Sequence, residues 1–165
     1  MALSAVPVIA SDPADSRFAV RLVYFDPAES GLDAKATFGA DYFPSDNVRV
    51  SLDYWKQSEY DAYYDLGVSV EVMPITVTWV SRSKSQVSAP RQRQAYFGGG
   101  VGWYRCELRI WNSYDSESAT ESDLGFHVLA GMDVTDRAFA EVRYATADVE
   151  GLKAGGFGLS VGYRF

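Results

Sequence analysis

The last eleven residues of the chain, 155–165, alternate between two kinds of side chain. Every second position from Phe157 to Phe165 is apolar or aromatic, and the positions between them carry Gly, Ser or Arg. A period of two places the two kinds of side chain on opposite faces of a β-strand. One face of this strand therefore has to meet an apolar environment, whereas the other carries only small or charged groups.

The same alternation recurs along the chain in segments separated by turn-forming residues. It predicts strands at about 17–25, 31–42, 48–57, 64–80, 95–110, 123–134 and 138–146, followed by the C-terminal strand. No segment of helical period competes with them, and no run approaches the ~20 apolar residues of a transmembrane helix. The sequence therefore predicts an all-β fold of eight strands.

One strand contains a break in its alternation. Apolar residues fall on even positions from Leu66 to Val72 and on odd positions from Ile75 to Trp79, with Pro74 between the two sets. Proline is tolerated at β-bulges, and a bulge shifts the phase of a strand by one residue. We therefore predict a bulge at Pro74 that returns both apolar sets to one face.

Eight antiparallel strands of this length can close into a barrel in two ways. In a soluble barrel of the lipocalin type the apolar face points inward, whereas in a membrane barrel it meets lipid. Three features favour the membrane: glycines on the polar face, aromatic residues near the strand ends of the apolar face, and charges of both signs on the polar face. We predict an eight-stranded antiparallel up-and-down transmembrane β-barrel whose lipid-facing residues include Leu32, Phe38, Val50, Val128, Val142, Leu159 and Val161.

Length and charge limit the remaining possibilities. The 165 residues suffice for one domain, which we place at 17–165. The segment 1–16 lacks basic residues, and we interpret it as a remnant of an export signal or as residues added for expression. The net charge of −7 disfavours nucleic acid as a partner. The single cysteine, Cys106, excludes an internal disulfide and is expected to be a small core residue.

Four segments carry a family resemblance: 72–79 (VMPITVTW), 95–104 (AYFGGGVGWY), 125–143 (GFHVLAGMDVTDRAFAEVR) and the terminal LSVGYRF. Through them the chain resembles the small eight-stranded outer-membrane barrels of the OmpX, OmpW and OmpA type. The resemblance implies a bacterial outer membrane with both termini in the periplasm. It also implies that Tyr163 and Phe165 belong to the C-terminal signal read by the barrel-assembly machinery during insertion.

The charged residues on the polar face are the candidate site. We predict an ion-pair network in the lumen formed by Arg21, Asp33, Lys35, Asp41, Arg49, Asp53, Glu71, His127, Glu141 and Arg143. A turn centred near Ser45 places Asp41 opposite Arg49, and Glu141 is a same-face neighbour of Arg143. A narrow interior cannot leave such groups unpaired without a large desolvation cost.

Function remains open among three classes, because this fold hosts adhesins, channels, anchors and a few enzymes. The favoured one is a scaffold or surface protein with a polar, ion-paired and blocked interior. The alternatives are a narrow channel for small polar or amphipathic solutes and an enzyme that modifies outer-leaflet lipid. The only histidine, His127, shares the inward phase of the glycines, and Leu129 stands two residues on, where the lipid A deacylases of this architecture carry Ser.

No catalytic residue, metal site or cofactor is therefore expected, and the chain is expected not to be an enzyme. The segments opposite the termini are rich in carboxylates, including Asp61, Asp115 and Glu117. Such carboxylates can share divalent cations with phosphates. We therefore expect outer-membrane lipid and lipopolysaccharide as partners, and a monomer.

Overall fold

The computed structural model of the protein describes residues 17–29, 32–82 and 94–165. The N-terminal segment 1–16 and most of the basic connection, 83–93, lie outside the described residues. Within the described part, no helix is long and apolar enough to cross a membrane.

Eight long strands and one short hairpin make up the regular structure of the described residues. The strands are β1 (Phe18–Pro27), β2 (Lys35–Ser45), β3 (Val48–Asp61), β4 (Leu66–Arg82), β5 (Ala95–Trp111), β6 (Ser116–Asp133), β7 (Ala138–Thr146), β8 (Asp148–Val149), β9 (Leu152–Lys153) and β10 (Gly156–Arg164). All but β8 and β9 form one closed barrel in the order β1-β10-β7-β6-β5-β4-β3-β2. Consecutive barrel strands are antiparallel neighbours, which confirms the predicted up-and-down barrel.

The sheet closes between its first and last strands. β1 pairs with β10 so that Val20 lies opposite Tyr163 and Leu22 opposite Val161. The Phe165 N–H also donates to the Phe18 carbonyl at 2.9 Å. This pairing satisfies the backbone groups that an open edge would leave without partners, each of which would cost several kcal/mol in lipid. We call the end of the barrel that holds Phe18 and Phe165 the termini end, and the opposite end the loop end.

The apolar face points outward, as predicted. Exposed fractions are 75% for Phe38, 60% for Val128, 57% for Val161, 50% for Leu159 and 39% for Val142, and Val50 is half-buried on the same face. Exposed aromatic residues form a band near each end of this wall: Phe18, Tyr42, Trp79, Phe97 and Tyr163 at the termini end, and Tyr24, Tyr54, Trp103, Tyr144 and Phe157 at the loop end. The prediction for Leu32 was wrong, because β2 begins only at Lys35 and Leu32 packs inward against the core.

The predicted bulge at Pro74 is absent, since β4 keeps one register with β3 on both sides of that residue. Leu52 pairs with Ile75 and Trp55 pairs with Val72, and only the pairs between them are missing from the ladder. A local interruption of the ladder therefore accommodates the missing proline N–H. Consequently Val70 and Val72 point into the barrel and are buried.

Strands β3 to β6 continue past the other strands at the loop end. β5 and β6 remain paired as far as Trp111 and Ser116, whereas the β6–β7 ladder ends at Phe126 and Thr146. This four-stranded extension was missed in part, because the segment 116–122 (SESATES) is polar on both faces and gives no alternation.

Asp65 joins the two turns at the tip of the extension. Its carboxylate accepts hydrogen bonds from the Ser113 hydroxyl at 2.8 Å and the Tyr60 hydroxyl at 2.7 Å. The bonds from Ser113 and Tyr60 lower the pKa of the Asp65 carboxyl. The two turns are thereby fixed relative to each other at neutral pH.

Candidate functional site in the barrel interior

Six charged side chains meet in the middle of the barrel. Arg21 of β1 contacts Asp41 of β2, with Nε 2.9 Å from Oδ2, and Asp53 of β3, with Nη2 2.7 Å from Oδ1. Arg21 and Asp41 are each 2% exposed, so this pair lies within the protein rather than at a wetted mouth. Strands β1 to β3 therefore supply one half of the cluster.

The other half comes from β3 and β7. The two terminal nitrogens of Arg49 donate to the two carboxylate oxygens of Glu141 at 2.6 and 3.0 Å, and this bidentate geometry favours a strong charge-assisted pair. Tyr96 of β5 adds a hydroxyl donor to Glu141 at 3.3 Å.

Arg143 links the two halves. Its Nη1 lies 3.0 Å from Asp53 Oδ2, and its Nη2 lies 3.5 Å from Glu141 Oε1. The cluster thus contains three guanidinium groups and three carboxylates, and its formal charge is zero. Neutrality removes the net Coulomb cost of burying six ionised groups, although each group still loses its hydration.

The pairing differs in detail from the sequence prediction. The chain reverses at Asp46–Asn47, since Ser45 pairs with Val48, and the register shifts by one residue between Tyr42 and Ser45. Asp41 therefore lies opposite Ser51 rather than Arg49. Arg49 still approaches Asp41 at 3.9 Å, but its closer partner is Glu141. The turn-forming residues at 44–47 predict that the chain reverses there, but they do not predict the register shift between β2 and β3.

Four residues of the predicted network lie elsewhere. Glu71 is on the outer wall, where it accepts from the Tyr54 hydroxyl at 3.0 Å and lies 3.5 Å from Lys56 Nζ, because β4 keeps its register through Pro74. Asp33 precedes β2 and is exposed, and Lys35 begins that strand; among the described residues neither forms an ion pair with the cluster.

His127 is the fourth of these residues. It points inward as predicted and is 3% exposed, but its Nε2 is hydrogen-bonded to the Thr78 hydroxyl at 2.8 Å rather than to a carboxylate.

An apolar layer lies inside the barrel toward the termini end. It consists of the buried residues Ala19, Val80, Tyr96, Leu129 and Phe139, with Phe43 packed against them. The Arg164 guanidinium lies 4.8 Å from the centre of the Phe139 ring and 2.7 Å from Asp133 Oδ1. Side chains of the strand ends therefore pack together at this mouth of the barrel.

A second apolar layer lies inside the barrel toward the loop end. Its buried members are Trp55, Val70, Val72, Tyr104, Cys106, Ala145, Ala147, Val149 and Ala154. The hairpin β8–β9 supplies Val149, which is 3% exposed, so the connection from β7 to β10 folds over the mouth. Neither this hairpin nor the inward position of Val70 was predicted; the buried residues Ala147 and Val149 form too short an alternation to be recognised as a strand.

A small cavity separates this second layer from the ion cluster. Its volume is about 50 Å³, and its wall includes Arg21, Asp53, Arg143, Trp55 and Tyr104. Such a volume holds a few water molecules.

Gly39 makes room for the ion cluster. A Cβ at this position would lie 2.1 Å from Asp53 Oδ1 and 3.0 Å from Arg21 Nη2. We expect Gly39→Ala to displace the Asp53 carboxylate and to destabilise the barrel by roughly 1–3 kcal/mol. Urea unfolding in lipid vesicles measures this change.

The matched control is Gly158→Ala, on the inner face of β10. The nearest atom to its added Cβ would be Val23 Cγ1 at 3.8 Å, an ordinary contact. This variant should stay within about 0.5 kcal/mol of the parent. Equal free energies of unfolding for the two variants would show that the ion cluster tolerates a shift of Asp53.

The residues of the predicted assembly signal lie on the outer wall at the termini end. Tyr163 is 44% exposed and Phe165 is 53% exposed, and their ring centroids are 5.5 Å apart. Their side chains are therefore accessible from outside the barrel, while the backbone of β10 is paired on both sides.

Comparisons with known proteins agree with this architecture. Ail, the attachment invasion locus protein of Yersinia pestis, is similar in structure, with a TM-score of 0.59, 14% sequence identity and coverage of 90% of this chain and 95% of that chain. Neisserial surface protein A gives a TM-score of 0.57 at 20% identity, over 90% and 96% of the two chains. The N-terminal β-barrel domain of Pseudomonas aeruginosa OprF gives 0.53 at 15% identity, also over 90% and 96%.

Sequence comparison extends the match beyond the fold. No curated protein sequence matches the chain significantly. The profile of the family described as Outer membrane protein beta-barrel domain matches residues 3–165, which is nearly the whole chain. The protein therefore belongs to the outer-membrane β-barrel family and is a protein of the bacterial outer membrane.

Proposed function

We propose that this protein is a non-conducting outer-membrane barrel that anchors its four-stranded extension at the cell surface. The observation that supports this proposal is the presence of packed, buried side chains at three successive levels of the lumen. Side chains fill the termini end, the ion cluster fills the middle, and Trp55, Tyr104 and the β8–β9 hairpin cover the loop end. A water-filled path for solutes would have to displace all three.

Conductance in a planar bilayer tests this proposal directly. We expect the reconstituted barrel to give no current steps above the lipid baseline in salt solution, because among the described residues the neutral ion cluster and the two apolar layers leave a cavity of only about 50 Å³ between them. Steady current steps that disappear when the same sample is unfolded by heat would contradict the proposal and show that the protein is a narrow channel.

The proposed role is structural rather than enzymatic. His127 lies inside the barrel against Thr78 and is 3% exposed, so a lipid in the outer leaflet does not reach it. Nucleophilic catalysis needs a base beside an accessible hydroxyl or thiol. Cys106, the one thiol of the chain, is buried in the apolar layer at the loop end.

We further propose that both termini face the periplasm and that the extension faces outward. The tip of the extension carries the carboxylates of Asp61, Asp65 and Asp115 beside exposed tyrosines, and these carboxylates would be costly to insert through lipid. Lipid covers the apolar wall of the membrane-spanning part, which is compatible with a monomer. The barrel-assembly machinery would act on β10 during insertion.

A further inference from the structure

A groove of about 230 Å³ lies on the outer wall of the extension, away from the lumen. It is lined by Lys56 and Ser58 of β3, Ser69 of β4, and Arg109 and Trp111 of β5. Its lining includes two cations and two hydroxyls but no carboxylate. We propose that this groove binds a phosphate-bearing sugar headgroup of the outer-leaflet glycolipid, an inference that rests on the outward orientation proposed above.

The pairing of the strands brings the polar groups of the groove together. Ser58 lies directly opposite Ser69, which in turn lies opposite Arg109 on the next strand. The two serine hydroxyls are 3.0 Å apart and hydrogen-bonded to each other. Neighbouring strands are separated by about 4.8 Å, so a lysine and an arginine can reach one anion from the two sides of this row.

Arg109 is the group without a partner in this arrangement. On the same wall, Arg105 lies 3.6 Å from Glu107 and Lys56 lies 3.5 Å from Glu71. Within the part of the chain that the structure describes, Arg109 forms neither an ion pair nor a side-chain hydrogen bond. A planar guanidinium with free donors is suited to bidentate binding of phosphate.

Trp111 forms one wall of the groove. Its indole ring lies against Gly67, since a Cβ at that glycine would be 2.1 Å from the ring. The glycine thus lets a large aromatic surface lie against the sheet beside Arg109. Such a surface packs well against the apolar face of a sugar, whereas a free inorganic ion would not use it.

The position of the groove along the barrel axis indicates which ligand it meets. On the outer face of β3, Lys56 comes two positions after Tyr54, a residue of the aromatic band at the loop end, and Ser58 comes four positions after it. With a rise of ~3.3 Å per residue and a tilt of about 40°, these positions lie roughly 5 and 10 Å above Tyr54. The groups next to the wall at this level are the headgroups of the surrounding lipid.

A lipid-binding measurement tests the inference. The full-length barrel in zwitterionic micelles is titrated with lipopolysaccharide that carries its phosphates, and with the same lipid after enzymatic dephosphorylation. For K56S/R109S we expect an affinity for the phosphorylated lipid at least about tenfold lower than that of the parent, because two charge-assisted contacts are lost. The dephosphorylated lipid should bind parent and variant alike.

The matched control is R17S/K153S, which removes one arginine and one lysine from exposed positions outside the groove. It makes the same change in net charge and should keep the parent affinity. A similar loss in both double variants, or an undiminished affinity in K56S/R109S, would overturn the site. Heat-modifiable migration in gels verifies that each variant is folded.

Two further measurements separate this inference from its premises. A soluble phosphorylated oligosaccharide that binds while the intact lipid does not would overturn the assignment to lipid. Labelling of Ser113→Cys in whole cells with an impermeant maleimide tests the orientation alone, because micelles present both ends of the barrel. Failure of labelling together with binding in micelles would refute the outward placement, and with it the outer leaflet as the source of the ligand.

Discussion

Replacing Arg49 with Met is expected to destabilise the folded barrel by about 3–5 kcal/mol, the usual cost of removing one partner of a buried ion pair. Arg49 is 1% exposed and supplies the two shortest contacts of Glu141, at 2.6 and 3.0 Å. The variant leaves Glu141 with Arg143 at 3.5 Å and the Tyr96 hydroxyl at 3.3 Å. Urea unfolding in lipid vesicles, followed by tryptophan fluorescence, gives the free energy of unfolding.

The double variant R49M/E141M is the control for this experiment. Replacing both partners of a buried pair with apolar groups is often close to neutral, because no uncompensated charge remains. We therefore expect the double variant to recover most of the stability lost in R49M. An unchanged free energy in R49M would mean that water reaches Glu141, and a hydrated path through the cluster would then favour the channel.

The cluster also has consequences for the register of the sheet. A slip of one residue between β2 and β3 would move Asp41 to the lipid face and leave Arg21 without one of its carboxylates. The relative registers of β1, β2 and β3 are therefore tied to charge pairs, in addition to the apolar pattern of the wall. A polar interior can thus specify the fold even where it adds little net stability.

The sequence predicts the wall of this barrel better than its interior. Alternation is a property of a single strand, and it indicates the first and last residues of a strand well where one face meets lipid over the whole length. The predicted strand 138–146, for example, coincides with β7 at Ala138–Thr146. The inward positions of Arg49 and Glu141 follow from the same phase. Their mutual pairing does not, because they come from strands far apart in sequence and on different sides of the barrel.

Alternation loses its meaning where the environment of the two faces changes along a strand. Near the loop end the interior is apolar and the outer face meets polar surroundings, so Val70 points inward while Glu71 points outward. If apolar residues are assumed to face lipid, as they do in the membrane, Val70 is assigned to the outer face and Glu71 to the inner face. That assignment also requires a bulge at Pro74, which the structure does not contain. The groove at Lys56 and Arg109 was missed for a related reason, since three strands contribute to it and each supplies only one or two polar residues.

Replacing Phe165 with Ala is expected to reduce insertion of the protein in cells strongly, while refolding in detergent stays close to that of the parent. The ring is 53% exposed and contacts Tyr163 with a centroid distance of 5.5 Å, so its removal costs little packing in the folded barrel. The backbone bond from the Phe165 N–H to Phe18 at 2.9 Å remains in the variant. A large effect in cells would therefore reflect recognition of β10 during assembly rather than stability of the product.

Phe18→Ala provides the comparison that separates recognition from membrane anchoring. Phe18 is 60% exposed at the same end of the barrel, on the strand that pairs with β10, and it packs against Tyr42 at 5.1 Å. Both variants lose one exposed aromatic ring at the termini end, but only Phe165→Ala alters the C-terminal segment that follows β10. Heat-modifiable protein in outer-membrane fractions, at equal expression, should fall for Phe165→Ala and stay near the parent level for Phe18→Ala. Equal losses would assign the effect to the aromatic band, and equal insertion of Phe165→Ala and the parent would remove Phe165 from the assembly signal.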